Sequence, residues 1–97
     1  MVIISKAVLA EFGEKHADAV DALNKWYHET KAANWKNFAE MKQTFNSVDA
    51  AGNDRYVFDI KGNKYRLVAM VFFDIRTMYI RFIGTHKEYD RIDCSTI

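Results

Sequence analysis

Within residues 81–90, RFIGTHKEYD, an apolar run gives way at a glycine to Thr85, His86, Lys87, Glu88, Tyr89 and Asp90. An imidazole, an ammonium, two carboxylates and a phenol therefore follow one another at a strand end, where a strand that only fills a core can stop in any turn. An imidazole titrates near neutral pH and can take or give a proton there. A second group stands about twenty residues earlier, in KGNKYR: Lys61, Asn63, Lys64 and Arg66. The planar fork of an arginine matches two oxygens of a phosphate. Either the strand end is simply a solvated tail, or these types carry chemistry, with proton transfer and anion binding the kinds they suit.

The rest of the composition narrows the setting. Ninety-seven residues, 49% hydrophobic and 28% charged, make one small domain over residues 1–97 with a single core. No apolar run approaches the ~18 residues of a membrane span. The opening MVIISKAVLAEF does not read as a secretory signal, because Lys6 follows its apolar stretch and Glu11 interrupts it. Cys94 has no partner for a disulfide or a CxxC pair, so a reducing cytoplasm is the expected compartment. With no base evidently paired to it, Cys94 is not assigned as a nucleophile. Net charge is +1, but unevenly spread. Residues 1–54 hold six Lys/Arg against eight Asp/Glu, and residues 55–97 hold eight against five. The second half is the better suited to an anion.

The elements that must position these groups follow from periodicity. VII reads as a short strand, with Ser5 placed to cap a helix carrying Val8, Leu9 and Phe12. Asp18 is placed to cap a second helix with Val20, Leu23, Trp26 and Tyr27 on one face, and Asn34 a shorter third. SVDAAGND reads as a loop. His16 and His28 are expected at the surface, and Trp26 and Trp35 in the core or against a partner.

From Arg55 the period becomes two, giving strands RYVFDI, KYRLVAMVFF and MYIRFI. A Gly62-Asn63 turn would pair Ile60 with Tyr65, Phe58 with Leu67 and Asp59 with Arg66. An Ile75-Arg76 turn would pair Val71 with Ile80, Ala69 with Phe82 and Met70 with Arg81. The expected fold is α+β, with helices on one face of an antiparallel meander. The other face would show Lys64, Arg66, Val68, Met70, Arg81 and Ile83, a mixture that suggests cover by a partner or ligand. Strand parity would turn His86 toward the core, unless Gly84 permits a bulge that re-aims it.

IKGNKYRLVAMVFF followed by YIRFIGTHKEYDRID resembles the HigB type of toxin in the wider RelE superfamily. The order strand, helices, meander is similar to that superfamily along essentially the whole chain. The resemblance implies a RelE-like fold and the toxin of a bacterial toxin–antitoxin pair. Such a toxin cuts mRNA, typically on the translating ribosome, and is neutralised by a HigA-like helix-turn-helix antitoxin. It also implies cleavage without a metal or other cofactor: the 2′-OH attacks the adjacent phosphorus and the 5′-oxygen leaves. The residues offer no metal-ligand spacing such as HExxH. Many relatives place arginine two positions after the glycine, where this chain has His86.

On that resemblance the catalytic residues are His86, Arg66, Lys64 and Tyr89. His86 would transfer the proton, or else anchor the strand end. Arg66 would clamp the phosphate, or else pair with Asp59 across the strands, or both. Lys64 would steady charge or move a proton, and Tyr89 would stack on a base, position a phosphate or pack the last residues. Lys64, His86 and Tyr89 all remain open as general base. Arg81, Lys61 and Asn63 are the candidate RNA contacts. Similar folds also serve ParE-like toxins, which inhibit DNA gyrase by binding and cut no RNA. Convergence of Lys64, Arg66 and His86 on one surface would favour the nuclease, and scattering the binder. A toxin that has lost its activity and only binds is the remaining reading.

Overall fold

A computed structural model describes residues Met1–Ile97. Strand β1 (Val2–Ile4) leads into α1 (Ala7–Lys15), a 3₁₀ turn (Ala17–Ala19), α2 (Val20–Ala32) and α3 (Phe38–Thr44). Strands β2 (Asp49–Gly52), β3 (Arg55–Ile60), β4 (Tyr65–Phe72) and β5 (Thr77–Thr85) follow, and α4 (His86–Tyr89) ends the regular structure. The expected α+β fold is present, and the sheet is larger than a meander. Its order is β1-β5-β4-β3-β2, with β1 parallel to β5 and the other pairs antiparallel. The SVDAAGND loop is in part β2, which pairs with β3 through a register shift between Ala50 and Gly52. No helix is long and apolar enough to cross a membrane.

Hydrophobic alternation decides the two faces. Tyr65, Leu67, Ala69 and Val71 of β4 and Phe58 and Ile60 of β3 join Leu9, Phe12, Leu23 and Trp26 of the helices in one core. Full burial of the Leu, Ile, Val and Phe side chains among them contributes about 1.5–3 kcal/mol each. Trp35 also lies in the core, with its indole Nε1 donating to Thr44 Oγ1 at 2.9 Å.

Three helix starts differ from expectation. Ser5 has a left-handed backbone (φ 72°), so Lys6 takes the cap position without a side-chain bond. Asn37, not Asn34, caps α3 by accepting from Glu40 N–H at 3.0 Å. Asp18 caps nothing, because its carboxylate is drawn to the β3–β4 turn. There it meets Lys64 Nζ and accepts from Tyr65 Oη at 2.6 Å, with Lys61 Nζ 3.6 Å away. Tertiary charge pairing has overridden a local capping preference.

The β3–β4 register is the expected one, with Ile60 against Tyr65, Phe58 against Leu67 and Asp59 against Arg66. The left-handed turn residues are Lys61 and Gly62 instead of Gly62 and Asn63. The β4–β5 register differs. Its turn is Phe73–Arg76, so Phe72 pairs with Thr77, Val71 with Met78 and Met70 with Tyr79. Met70 therefore faces Tyr79, not Arg81. That slide of two residues keeps the faces, but a bulge does not. Ala69 pairs with Ile80 and Val68 with Phe82, leaving Arg81 as the extra residue. Beyond it Ile83 turns to the core side opposite Leu67, and Phe82 and Gly84 join the face of Val68 and Arg66.

The Asp18 cluster fixes the helical corner to the hairpin and should show in the pH dependence of stability. Lys64 first, and then Tyr65, hold the Asp18 carboxyl well below its ordinary 3.8, whereas Asp18 raises both Lys64 and Tyr65. A depressed carboxyl contributes stability in full above its unfolded value, and loses it as the pH falls toward the folded one. The raised lysine and tyrosine contribute below about pH 10 and lose it above. Asp18→Asn should therefore lower the melting temperature by several degrees between about pH 5 and 9, with the gap to the parent closing at both extremes. Thermal melts of the two proteins from pH 2 to 11 check this; a gap of constant size across the acid range would refute it.

Candidate functional site

On the sheet face away from the helices, three of the sequence-selected residues meet. Arg66 stands on β4 with its Nη1 2.5 Å from Asp59 Oδ1 on β3. Its Nε donates to His86 Nε2 at 3.3 Å, and its guanidinium carbon lies 5.6 Å from the centre of the Tyr89 ring. The Arg66 and Asp59 side chains are 21% and 18% exposed, so the pair is partly withdrawn from water yet open to a ligand. The expected cross-strand pair is present, and beyond Asp59 and His86 the guanidinium N–H groups have no further protein partner.

Guanidinium has donors only, so in this contact His86 Nε2 is the acceptor. A proton-accepting group thus sits beside a permanent cation.

Helix α4 delivers His86 and Tyr89 by a device the sequence reading missed. Thr85 Oγ1 accepts from Glu88 N–H at 3.3 Å, and Glu88 Oε1 accepts from Thr85 N–H at 2.9 Å. This reciprocal cap has a sequence signature, Thr-x-x-Glu, readable in THKE. It closes a single turn, in which His86 and Tyr89, three apart, share one side. Gly84 is needed for close approach: a Cβ there would lie 2.6 Å from Phe82 Cζ and 3.0 Å from Glu88 Oε1. The Thr85 bonds hold the Glu88 carboxyl below its ordinary value, so Glu88 is a cap and not an acid.

The last residues close the far side of the site. Tyr89 Oη lies 3.5 Å from Cys94 Sγ, and this contact, with burial, pushes the phenol up to about 12. Arg55 Nε and Nη2 donate to Ile97 O at 2.9 and 2.6 Å, and Asn53 Nδ2 donates to Ser95 O at 2.9 Å. Helix α4 packs on β4 and β5, and Val57 and Val68 of this face are 4% and 0% exposed. Much of the cover expected from a partner is therefore supplied by the chain itself.

The other candidates stand apart. Lys64 and Lys61 are engaged by Asp18, and Lys61 Nζ also donates to Asp18 O at 3.1 Å. Asn63 is exposed in the same turn, and Arg81 is exposed at the bulge with no ion-pair partner. His16 is half-buried, stacked on Phe12 at 4.3 Å and edge-on to Tyr65 at 5.4 Å, rather than fully at the surface. No three His, Cys, Asp or Glu side chains gather as a metal site.

Residues 19–92 match the HigB_toxin family, described as the RelE-like toxic component of a toxin–antitoxin system. The chain is also similar to the mRNA interferase toxin HigB of Escherichia coli (strain K12) and to the mRNA interferase HigB of Shigella flexneri. It is 35% identical to each over 92 residues, covering 93% of this chain and 88% of the relative. The mRNA interferase HigB of Escherichia coli O6:H1 is 32% identical over 94 residues, covering 95% of this chain and 91% of its own.

If the reciprocal cap holds α4 in place, removing it should loosen the site and leave the core intact. Losing a cap costs about 0.5–2 kcal/mol. Glu88→Ala should keep a cooperative melt while the Thr85 and Glu88 amides exchange about tenfold faster. The imidazole resonances of His86 should move toward those of a free side chain. Unchanged exchange and unchanged imidazole resonances would show that the cap is dispensable.

Proposed function

Because the chain belongs to the HigB family of RelE-like toxins, we propose that it is an endoribonuclease toxin that cleaves mRNA on the translating ribosome. The observation that carries the reading is the meeting of Arg66 and His86, joined by Tyr89, on one open face; Lys64, whose convergence with them would also favour the nuclease, is held apart by Asp18. A pure binder such as a gyrase inhibitor has no need for a phosphate fork and a neutral imidazole within hydrogen-bond reach of each other. The chain's similarity to mRNA interferases of the HigB type supports the same choice.

The free N–H groups of Arg66 bind the scissile phosphate, and Asp59 holds the guanidinium in plane. Among the three candidate bases, two are unsuited. Lys64 is raised by Asp18 and Tyr89 is pushed up to about 12, so both keep their protons at neutral pH. His86 Nε2 already accepts from Arg66 Nε, and phosphate oxygens arriving at Arg66 compete for the guanidinium and release that lone pair. His86 then accepts the 2′-hydroxyl proton as the oxygen attacks phosphorus. The P–O5′ bond breaks, the 5′-oxygen takes a proton from water, and a 2′,3′-cyclic phosphate remains. Arg66 steadies the extra negative charge of the phosphorane. The Tyr89 ring supports the guanidinium and offers a surface for base stacking. No step requires a metal or cofactor. Arg81, Lys61 and Asn63, all exposed, are available to the RNA backbone flanking the site. A HigA-like helix-turn-helix protein would be the neutralising antitoxin.

Cleavage of an mRNA on programmed ribosomes tests this. Intact protein should give codon-positioned cuts with 2′,3′-cyclic phosphate ends. His86→Ala should lose about 10²–10⁴ of the rate, and Arg66→Ala about 10²–10³. Tyr89→Phe should keep most of it, since the phenol proton is not used. Absence of cutting by folded protein, on ribosomes and on free RNA, would remove the nuclease reading and leave the gyrase-type binder.

A further inference from the structure

At the β1 edge of the sheet the chain leaves its most exposed large apolar side chains together. Val2 is 59% exposed, Ile75 61% and Ile4 39%. Val2 pairs with Thr77 and Ile4 with Tyr79, and Ile75 sits in the adjoining β4–β5 turn, so the three occupy one corner. On the helix side of the same edge opens a cavity of about 460 Å³, lined by Met1, Val2, Ile3, Tyr27, Lys31 and Arg76. Single exposed apolar residues need no explanation, but a cluster beside a cavity marks an interaction surface.

Two further features narrow what fits. β1 is an edge strand, and Val2 N–H donates to Arg76 O at 2.7 Å. Alternation along the strand turns the N–H and C=O of Ile3 outward, away from β5. Lys31 and Arg76 are exposed, form no ion pair, and share the lining with no acidic residue.

We infer that this corner is the docking surface for the antitoxin, through an extended segment laid beside β1 whose side chains alternate apolar with acidic. The inference rests on the toxin–antitoxin reading of the family. Main-chain bonds to Ile3 set the register of such a segment, and alternate side chains enter the cavity or cover Val2 and Ile4. Carboxylates of the segment meet Lys31 and Arg76. A second copy of this chain fits less well, since it brings its own Lys31 and Arg76 to an edge with no acid in the cavity to offset them. The surface involves none of Arg66, His86 or Tyr89, so a toxin held there is restrained without its phosphate site being filled.

The test uses the full-length toxin and the antitoxin that neutralises it on co-expression. Hydrogen exchange of the complex should slow the Ile3 amide at least about tenfold, with the Thr85 and Tyr89 amides unchanged. Lys31→Glu with Arg76→Glu, and separately Val2→Asp, should weaken binding at least about tenfold while leaving mRNA cleavage and thermal melts near those of the parent. Protection confined to the Arg66–His86 face, or binding untouched by both variants, would overturn the inference. So would a toxin dimer that Val2→Asp abolishes and that the antitoxin leaves intact. A neutralising pair that shows no physical association would remove the toxin–antitoxin reading, and the docking surface with it.

Discussion

Between Ile80 and Phe82 strand β5 carries one residue more than β4 opposite it, and the placement of every later side chain depends on that insertion. Met78 and Ile80 point into the core. Strict alternation would send Phe82, Gly84 and the next even position the same way. His86 would then stand at the rim of the core, with Arg66 alone on the other face. The bulge at Arg81 instead turns Ile83 inward and carries Gly84 beside Arg66. Gly84 leaves room for Glu88, Glu88 and Thr85 cap one helical turn, and that turn brings His86 and Tyr89 to the guanidinium. Each step constrains the next: a bulge sacrifices one ladder pairing and gains a re-aimed strand end.

A second constraint sorts the cations. The β3–β4 hairpin presents Lys61, Lys64 and Arg66 within six residues, but two carboxylates on opposite sides of the sheet divide them. Asp18, from the helical corner, holds both lysines, and Asp59, from β3, holds the arginine. The lysines thereby fasten the hairpin to the helices, leaving Arg66 as the cation of the site. Arginine suits that position better than lysine, because its fork can serve Asp59, His86 and a phosphate at once.

The sequence made some of this legible and concealed the rest for identifiable reasons. Register between β3 and β4 was readable because the turn at Gly62 and the alternation on both flanks agree, and the meeting of Asp59 with Arg66 followed. Register between β4 and β5 was not, because the connection Phe73–Arg76 has neither glycine nor proline to mark its ends. The bulge has no mark either, since Arg81 is an ordinary strand residue. The cap Thr85-x-x-Glu88 was written plainly in THKE, but reading those residues as chemistry hid their structural use. Asp18 looked like a helix cap because capping is local. Its partners lie more than forty positions away, and no short-range pattern discloses them.

The histidine at position 86 also has a physical consequence. Two guanidinium groups at this spacing would repel each other in the empty site: unit charges about 4 Å apart cost about 4 kcal/mol at an effective dielectric near 20. A neutral imidazole removes that repulsion and accepts a bond from Arg66 instead.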